Sequence, residues 1–185
     1  MIALPFPVGL FYGSSTCYTE IAAEKIRDFF DSENEENKQI VLHNIAETGL
    51  APMNDFRGLI LGIPTWDYGE LQEDWDRLWD ELDSVDFTNK IVALYGLGDQ
   101  IGYPDWFQDA MGYLYYKIEE RGAKVIGLWP SEGYQFNSSH ALTADKNFFV
   151  GLALDEENEF SLSETRIQSW CQQLSNEFNA LNTSA

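Results

Sequence analysis

Six short apolar runs, at residues 8–12, 39–43, 58–63, 91–95, 125–129 and 148–154, set the strongest constraint on this chain. They show little polar alternation, so both faces of each must be covered, which is the pattern of strands in a parallel sheet. Stretches of helical periodicity lie between them. Leu71, Trp75, Leu78, Trp79 and Leu82 fall on one helix face, as do Phe107, Ala110, Met111, Leu114 and Ile118. Ile167, Trp170, Cys171, Leu174 and Phe178 make a third stripe, preceded by Ser161-Leu162-Ser163-Glu164, which has the form of a capping box. A further helix is expected over about residues 16–30. Strands alternating with helices predict an open, doubly wound α/β sheet with helices on both faces. Eighteen mostly polar residues, 130–147, separate the last two runs, and an insertion that splits the last strand accounts for them.

At 185 residues the chain has the length of one domain, 1–185, with enough residues for a real core. Its charge is −20, from 31 acids against 11 Lys plus Arg. That balance argues against nucleic acid and anionic membranes as partners, since both need clustered bases. It fits a basic protein partner, and equally a solubilising coat. Cys17 and Cys171 stand too far apart for a C-x-x-C motif, which argues against a disulfide or zinc framework. No apolar run approaches the roughly 18 residues of a membrane span. The apolar start carries neither a basic n-region nor a small-residue cleavage site, so a reduced, cytoplasmic protein is expected.

In doubly wound sheets the ligand sits at the carboxyl ends of the strands, which directs attention to three turns. The first, Gly13-Ser14-Ser15-Thr16-Cys17-Tyr18-Thr19, joins a strand to a helix start rich in hydroxyls. Helix dipole and free amides favour an anion there, and without a P-loop lysine the turn suits a cofactor's phosphate monoester. A plain N-cap and turn is the competing reading. The second, Pro64-Thr65-Trp66-Asp67-Tyr68-Gly69-Glu70-Leu71, places a Trp where its ring can face a planar ligand or pack beneath the next helix. The third, Gly96-Leu97-Gly98-Asp99-Gln100-Ile101-Gly102-Tyr103-Pro104, misses the dinucleotide fingerprint because its third Gly comes one place late. Its glycines admit close backbone approach, Tyr103 adds a second aromatic face, and Pro104 is placed to open a helix.

Taken together, Ser14-Ser15-Thr16-x-x-Thr19, Pro64-Thr65-Trp66-x-x-Gly69-Glu70-Leu71, Gly98-Asp99-Gln100-Ile101-Gly102-Tyr103 and Gly151-Leu152-Ala153-Leu154-Asp155-Glu156 resemble the long-chain bacterial flavodoxins, in particular the flavodoxin B branch. The resemblance implies a five-stranded parallel sheet of order 2-1-3-4-5, the insertion near 130–147 being that of the long-chain class. It implies FMN as cofactor, with the phosphate on Ser14, Ser15, Thr16, Tyr18 and Thr19. The flavin ring would lie between Trp66 and Tyr103, edged by Thr65, Asp67, Tyr68 and Gly69, with Leu97, Gly98 and Asp99 at its pyrimidine end. Gln108 and Glu157 match further cofactor contacts. Two positions depart from the family pattern: Cys17 stands where many relatives have Gly, and Asp67 where a small residue or Asn is common.

By the same resemblance the protein is an electron carrier and not an enzyme. It would cycle between semiquinone and hydroquinone, fed by an NADPH-dependent flavodoxin/ferredoxin reductase and serving acceptor enzymes through basic patches, as a monomer. Residues 67–109 hold twelve acids against Arg77 and Lys90, a net of −10 around the expected ring site. One carboxylate about 10 Å away at an effective dielectric of about 20 costs an added electron about 1.7 kcal/mol, on the order of 70 mV. A low potential is therefore expected. The alternative on the same fold is an NAD(P)H-dependent quinone or flavin reductase, which would need an open ring face. A phospho-acceptor domain would need Asp where Pro64-Thr65-Trp66 stands. His43, His140, residues 33–36 and residues 155–159 read as structural or solvated, Glu157 apart. No Cys/His cluster has metal spacing, and no Ser-His-Asp set is convincing.

Overall fold

The computed structural model describes residues 3–31 and 38–183; the acidic run 33–36 lies outside them. In chain order the elements are β1 (Val8–Tyr12), α1 (Tyr18–Phe30), β2 (Ile40–Asn44), the short helix α2 (Ile45–Thr48), β3 (Gly58–Trp66) and β4 (Glu70–Leu71). They continue with α3 (Glu73–Leu78), β5 (Ile91–Leu97), α4 (Asp109–Glu119), β6 (Lys124–Ile126), β7 (Trp129–Pro130), β8 (Phe148–Phe149), β9 (Leu152–Leu154) and α5 (Phe160–Asn182).

The main sheet runs β2-β1-β3-β5-β6, with every one of these ladders parallel, and β9 beside the upper half of β5. Counting β6 and β9 as one interrupted strand, this is the expected 2-1-3-4-5 order. β6 pairs Ile91, Val92 and Ala93, whereas β9 pairs Tyr95, Gly96 and Leu97. The insertion leaves from between them through the antiparallel β7–β8 pair.

Alternate side chains explain why the runs look uniformly apolar. Val8, Leu10 and Tyr12 join Ile60, Ala93 and Tyr95 in a core packed by α1 and α5. Phe11 joins Leu59, Leu61, Val92 and Leu94 in a second core that takes up Trp75, Leu78, Met111 and Leu114 from α3 and α4. Both faces are buried, so neither register tolerates a polar residue. Among the described residues no helix is long and apolar enough to cross a membrane.

Four local expectations are corrected. The stripe over 71–82 becomes the six-residue α3 followed by a 3-10 turn at Trp79–Ser84, because the Gln72 side chain accepts from the Asp74 and Trp75 amides and starts the helix there. The capping box at Ser161 is not used. Asp155 accepts from Asn158 N and Glu159 N, turning the chain early, and α5 already begins at Phe160. Pro104 opens no helix: α4 starts at Asp109, and the Pro104 carbonyl instead accepts from Asn137 N and Ser138 N of the insertion. The run 125–129 is not one strand, as Gly127 takes a left-handed φ of 79° between β6 and β7.

Candidate functional site

The first turn leaves β1 at Tyr12 and enters α1 at Tyr18. A Cβ at Gly13 would strike the Gln72 side-chain amide oxygen and the Trp75 ring. The first intrahelical bond runs from Ile21 N to Cys17 O at 2.8 Å, which leaves the earlier amides of the turn without a helical acceptor. Cys17 occupies the N-cap at φ 68° with no side-chain cap bond. A left-handed backbone costs an L-residue on the order of 1 kcal/mol, which is the physical reason Gly suits this position. Ser15 Oγ accepts from Gln72 Nε2 at 3.1 Å, while the buried Ser14 Oγ has no partner. Behind the turn, the buried Tyr95 hydroxyl donates to Thr19 O at 2.8 Å and pins the first turn of α1.

The second turn is the tight connection of the β3–β4 pair, in which Trp66 faces Glu70. Gly69 N donates to Trp66 O at 3.1 Å, and the turn needs positive φ at both Asp67 (39°) and Gly69 (88°). Asp tolerates that region better than most side chains, which suits it to this turn. Thr65 Oγ1 accepts from Ala110 N and so ties the turn to the start of α4. Trp66 Nε1 is buried without a partner.

The third turn is held from below. Fully buried Asp155 accepts from the Gln100 amide and from Gln100 Nε2, and Asn158 Nδ2 bridges Asp155 to Asp99. Asp99 Oδ1 in turn accepts from Ile101 N and Gly102 N, and Gly98 N donates to Leu154 O. Burial alone would raise the Asp99 carboxyl, but the Gly102 amide, Asn158 and the Ile101 amide together hold it below the ordinary range. The loop reaches its partner across the cleft at Tyr103, whose hydroxyl donates to Asp67 Oδ1 at 3.3 Å. The Asp67 charge, reinforced by that bond, pushes the Tyr103 phenol up.

These turns enclose a cleft of about 300 Å³ at the carboxyl ends of the strands. Of the residues expected there, Thr16, Tyr18, Thr19, Thr65, Trp66, Asp67, Leu97, Gly98, Asp99, Tyr103 and Glu157 line it. Ser14 and Ser15 lie in the adjoining turn. Tyr68 is 67% exposed and stands edge-on to Tyr103 and Trp106. Gly69 is buried behind the turn, against Asp109 and Trp106. Gln108 is fully buried, its Nε2 bonded to Leu154 O, so it belongs to the wall and not to the cavity. Pro64, Trp106, Phe107 and Glu156 also line the cleft. In the sequence Phe107 reads only as part of a helix face, and the aromatic pair Trp106-Phe107 after a glycine loop is the signal available for both.

The charge map changes as well. Of the twelve acids in 67–109, Asp67 and Asp99 line the cleft, joined by Glu156 and Glu157, with no Lys or Arg beside them. Asp83 is paired with Lys117 and Arg121, Asp74 with Arg77, and Asp109 is buried against His140. A count along the chain cannot see partners that come from elsewhere in the fold.

The flavodoxin family model matches residues 10–170. The chain belongs to the flavodoxin family. It is 56% identical to flavodoxin 2 of Escherichia coli K12 over 170 residues, covering 92% of this chain and 95% of that protein. Against a Nostoc flavodoxin the identity is 52% over 171 residues, with 92% and 96% covered. The crystal structure of Fusobacterium nucleatum flavodoxin bound to flavin mononucleotide superposes with a TM-score of 0.84 at 31% identity, covering 93% of this chain and 98% of that one. Flavodoxins are electron-transfer proteins, and the cleft of this one stands where the doubly wound topology places a ligand.

Proposed function

We propose that this flavodoxin is a low-potential one-electron carrier that holds FMN in the cleft between the three turns. The observation that carries the reading is a pair of buried polar atoms without partners, Ser14 Oγ and Trp66 Nε1, in the phosphate turn and beside the ring cleft. An unmade buried hydrogen bond costs about 1–3 kcal/mol, so unpartnered atoms of this kind beside an open cleft are ones that a ligand in it can satisfy. FMN fits the cleft: its phosphate can accept from the Ser14 hydroxyl and the helix-start amides, and its flat ring suits a cleft bearing Trp66 and Tyr103.

Bound FMN supplies the one-electron chemistry; the chain's own residues set its terms. Ser14, Ser15, Thr16, Tyr18 and Thr19 hold the phosphate without a countercharge. Trp66 and Tyr103 cover the ring faces and exclude water, while Thr65, Asp67, Tyr68 and Gly69 shape one edge and Leu97, Gly98 and Asp99 the other. Glu157 adds a carboxylate at the rim, and Gln108 acts from the wall. Asp67, Asp99, Glu156 and Glu157 oppose the arrival of negative charge, which lowers the potential and makes the reduced protein a strong donor. The same acidic rim steers encounter with basic patches on an NADPH-dependent reductase and on acceptor enzymes, at rates that fall as salt rises. The protein acts as a cytoplasmic monomer of one domain.

The test is a titration of the apo-protein with FMN, followed by flavin fluorescence and visible absorbance, and then stepwise reduction. A tight, quenched complex reduced in two separate one-electron steps, the second below that of free FMN, is the expected result. Absence of FMN uptake would refute the reading.

A further inference from the structure

Behind the 66–69 turn stands a pair of groups that the cleft itself does not use. Asp109, the first residue of α4, is fully buried. Its Oδ1 accepts from His140 N at 2.7 Å, and its Oδ2 lies 3.0 Å from His140 Nδ1. The same carboxylate abuts Gly69, where a Cβ would sit 3.1 Å from Asp109 Oδ2. The imidazole, in contrast, keeps 62% of its side-chain surface exposed. A buried charge beside the flavin turn is thus wired to a titratable ring in contact with water.

His140 comes from the insertion, and its position is fixed. A Cβ at Gly112 would collide with the His140 carbonyl, so the insertion backbone rests directly on α4. Asn137 N and Ser138 N anchor the same segment to Pro104 O. A carboxylate only accepts, so the Nδ1 that faces Asp109 carries the hydrogen, and Nε2 is the nitrogen left to take a second proton. Titratable groups on the surrounding elements include Tyr113 of α4, whose hydroxyl is 3.3 Å from Nδ1, with Tyr115, Tyr116 and Glu119 farther along it, Asp105 of the preceding turn, Asp67 and Tyr68 of the flavin turn, Glu70 of β4, and Glu132, Tyr134, Asp145 and Lys146 of the insertion itself. Of the lysines on these elements, Lys117 further along α4 is engaged with Asp83.

We propose that Asp109 and His140 form a proton-linked positioning pair for the flavin turn, His140 taking up a solvent proton as the cofactor gains an electron. The inference rests on the FMN reading above. While His140 is neutral, the Asp109 carboxylate adds an uncompensated negative charge on the far side of Gly69. Protonation turns the pair into an ion pair and removes that opposition. By linkage, reduction then favours the proton as strongly as the proton favours reduction. The electron comes from the redox partner and the proton from solvent. The proton of this pair lands on His140 Nε2 and is separate from any proton that the cofactor itself takes up on reduction.

The test uses the FMN-loaded protein and follows the ring-carbon NMR signals of His140 against pH in the oxidised and fully reduced forms. The expected result is a proton affinity at His140 raised about fivefold or more on reduction, with the signals of His43 as internal reference. In a parallel series, the reduction midpoints of the wild type carry a pH dependence across the His140 titration that His140→Gln removes, since Gln can still donate to Asp109 but cannot take the proton. Equal His140 titration in both redox states, or an unaltered pH dependence in His140→Gln, overturns the inference while leaving FMN binding standing. Failure to take up FMN overturns both.

Discussion

Across the mouth of the cleft, the Tyr103 hydroxyl donates to Asp67 and joins two turns that are 36 residues apart in sequence. The bond is exposed and long, so its removal alone is mild. Tyr103→Phe is expected to weaken FMN binding by at most about 1 kcal/mol. Tyr103→Ala also loses the ring face, a further 0.5–1.5 kcal/mol or so beyond simple burial. Fluorescence quenching of FMN by the two variants separates the clasp from the stack, and equal losses would show that the face contributes nothing.

Ser14→Ala should move two quantities in opposite directions. In the apo-protein the mutation deletes a buried hydroxyl without a partner, so urea unfolding should show equal or greater stability. FMN binding should weaken by about 1.5–3 kcal/mol, the value of a hydrogen bond to a charged group, while riboflavin binding is unaffected. A parallel loss for riboflavin would place Ser14 away from the phosphate.

Asp155 carries the glycine loop. Replacement by Asn turns one acceptor oxygen into a donor among the Gln100 and Asn158 amides that now point at it. A cost of about 2–4 kcal/mol in global stability is expected, since breaking a buried hydrogen-bonded charge leaves several donors unmet. Chemical denaturation of apo Asp155→Asn and wild type measures it, and a loss under about 0.5 kcal/mol would contradict the network.

His43 stacks on Phe11 at 4.3 Å with Nε2 buried and unpartnered. Burial lowers its proton affinity below the ordinary value near 6.5, against a smaller opposing pull from Asp55. The unfolded chain therefore binds the proton first. The stability contribution is complete above the ordinary value and is lost as the pH falls through the folded one. Urea midpoints at pH 7.5 and 5 should differ more in the wild type than in His43→Phe. Identical differences would remove His43 from the acid response.

The parallel sheet was legible because its signal is local: an apolar run covered on both faces reads the same whatever packs on it. Val8–Tyr12 emerged with the expected bounds, whereas β3 and β5 continue past their runs to Trp66 and Leu97. There the strands become walls of the cleft, and Thr65 and Gly96 interrupt the apolar run. The three turns were legible from glycines and hydroxyls in the right order. What stayed hidden depends on distant partners: the Asp83 and Asp109 pairings, the retreat of Gln108 into the wall, and the early start of α5 at Phe160, set by Asp155 and Asn158. Hydrogen bonds over long sequence separations leave no periodicity to read.

The interrupted edge strand divides the outer edge of the sheet into two separately hydrogen-bonded pieces. On the outer side of β5, β6 pairs with the lower part and β9 with the upper part, where Leu154 O also receives Gly98 N and Gln108 Nε2, while β3 runs along the whole inner side. Opening of β9 therefore need not cross the break at Gly127 and Gly151, so the cleft side can breathe while the lower ladder stays closed. In hydrogen exchange the amides of Leu152–Leu154 should turn over well before those of Lys124–Ile126. Ligand binding should then slow the upper set selectively, making the cofactor a fastener for half a strand.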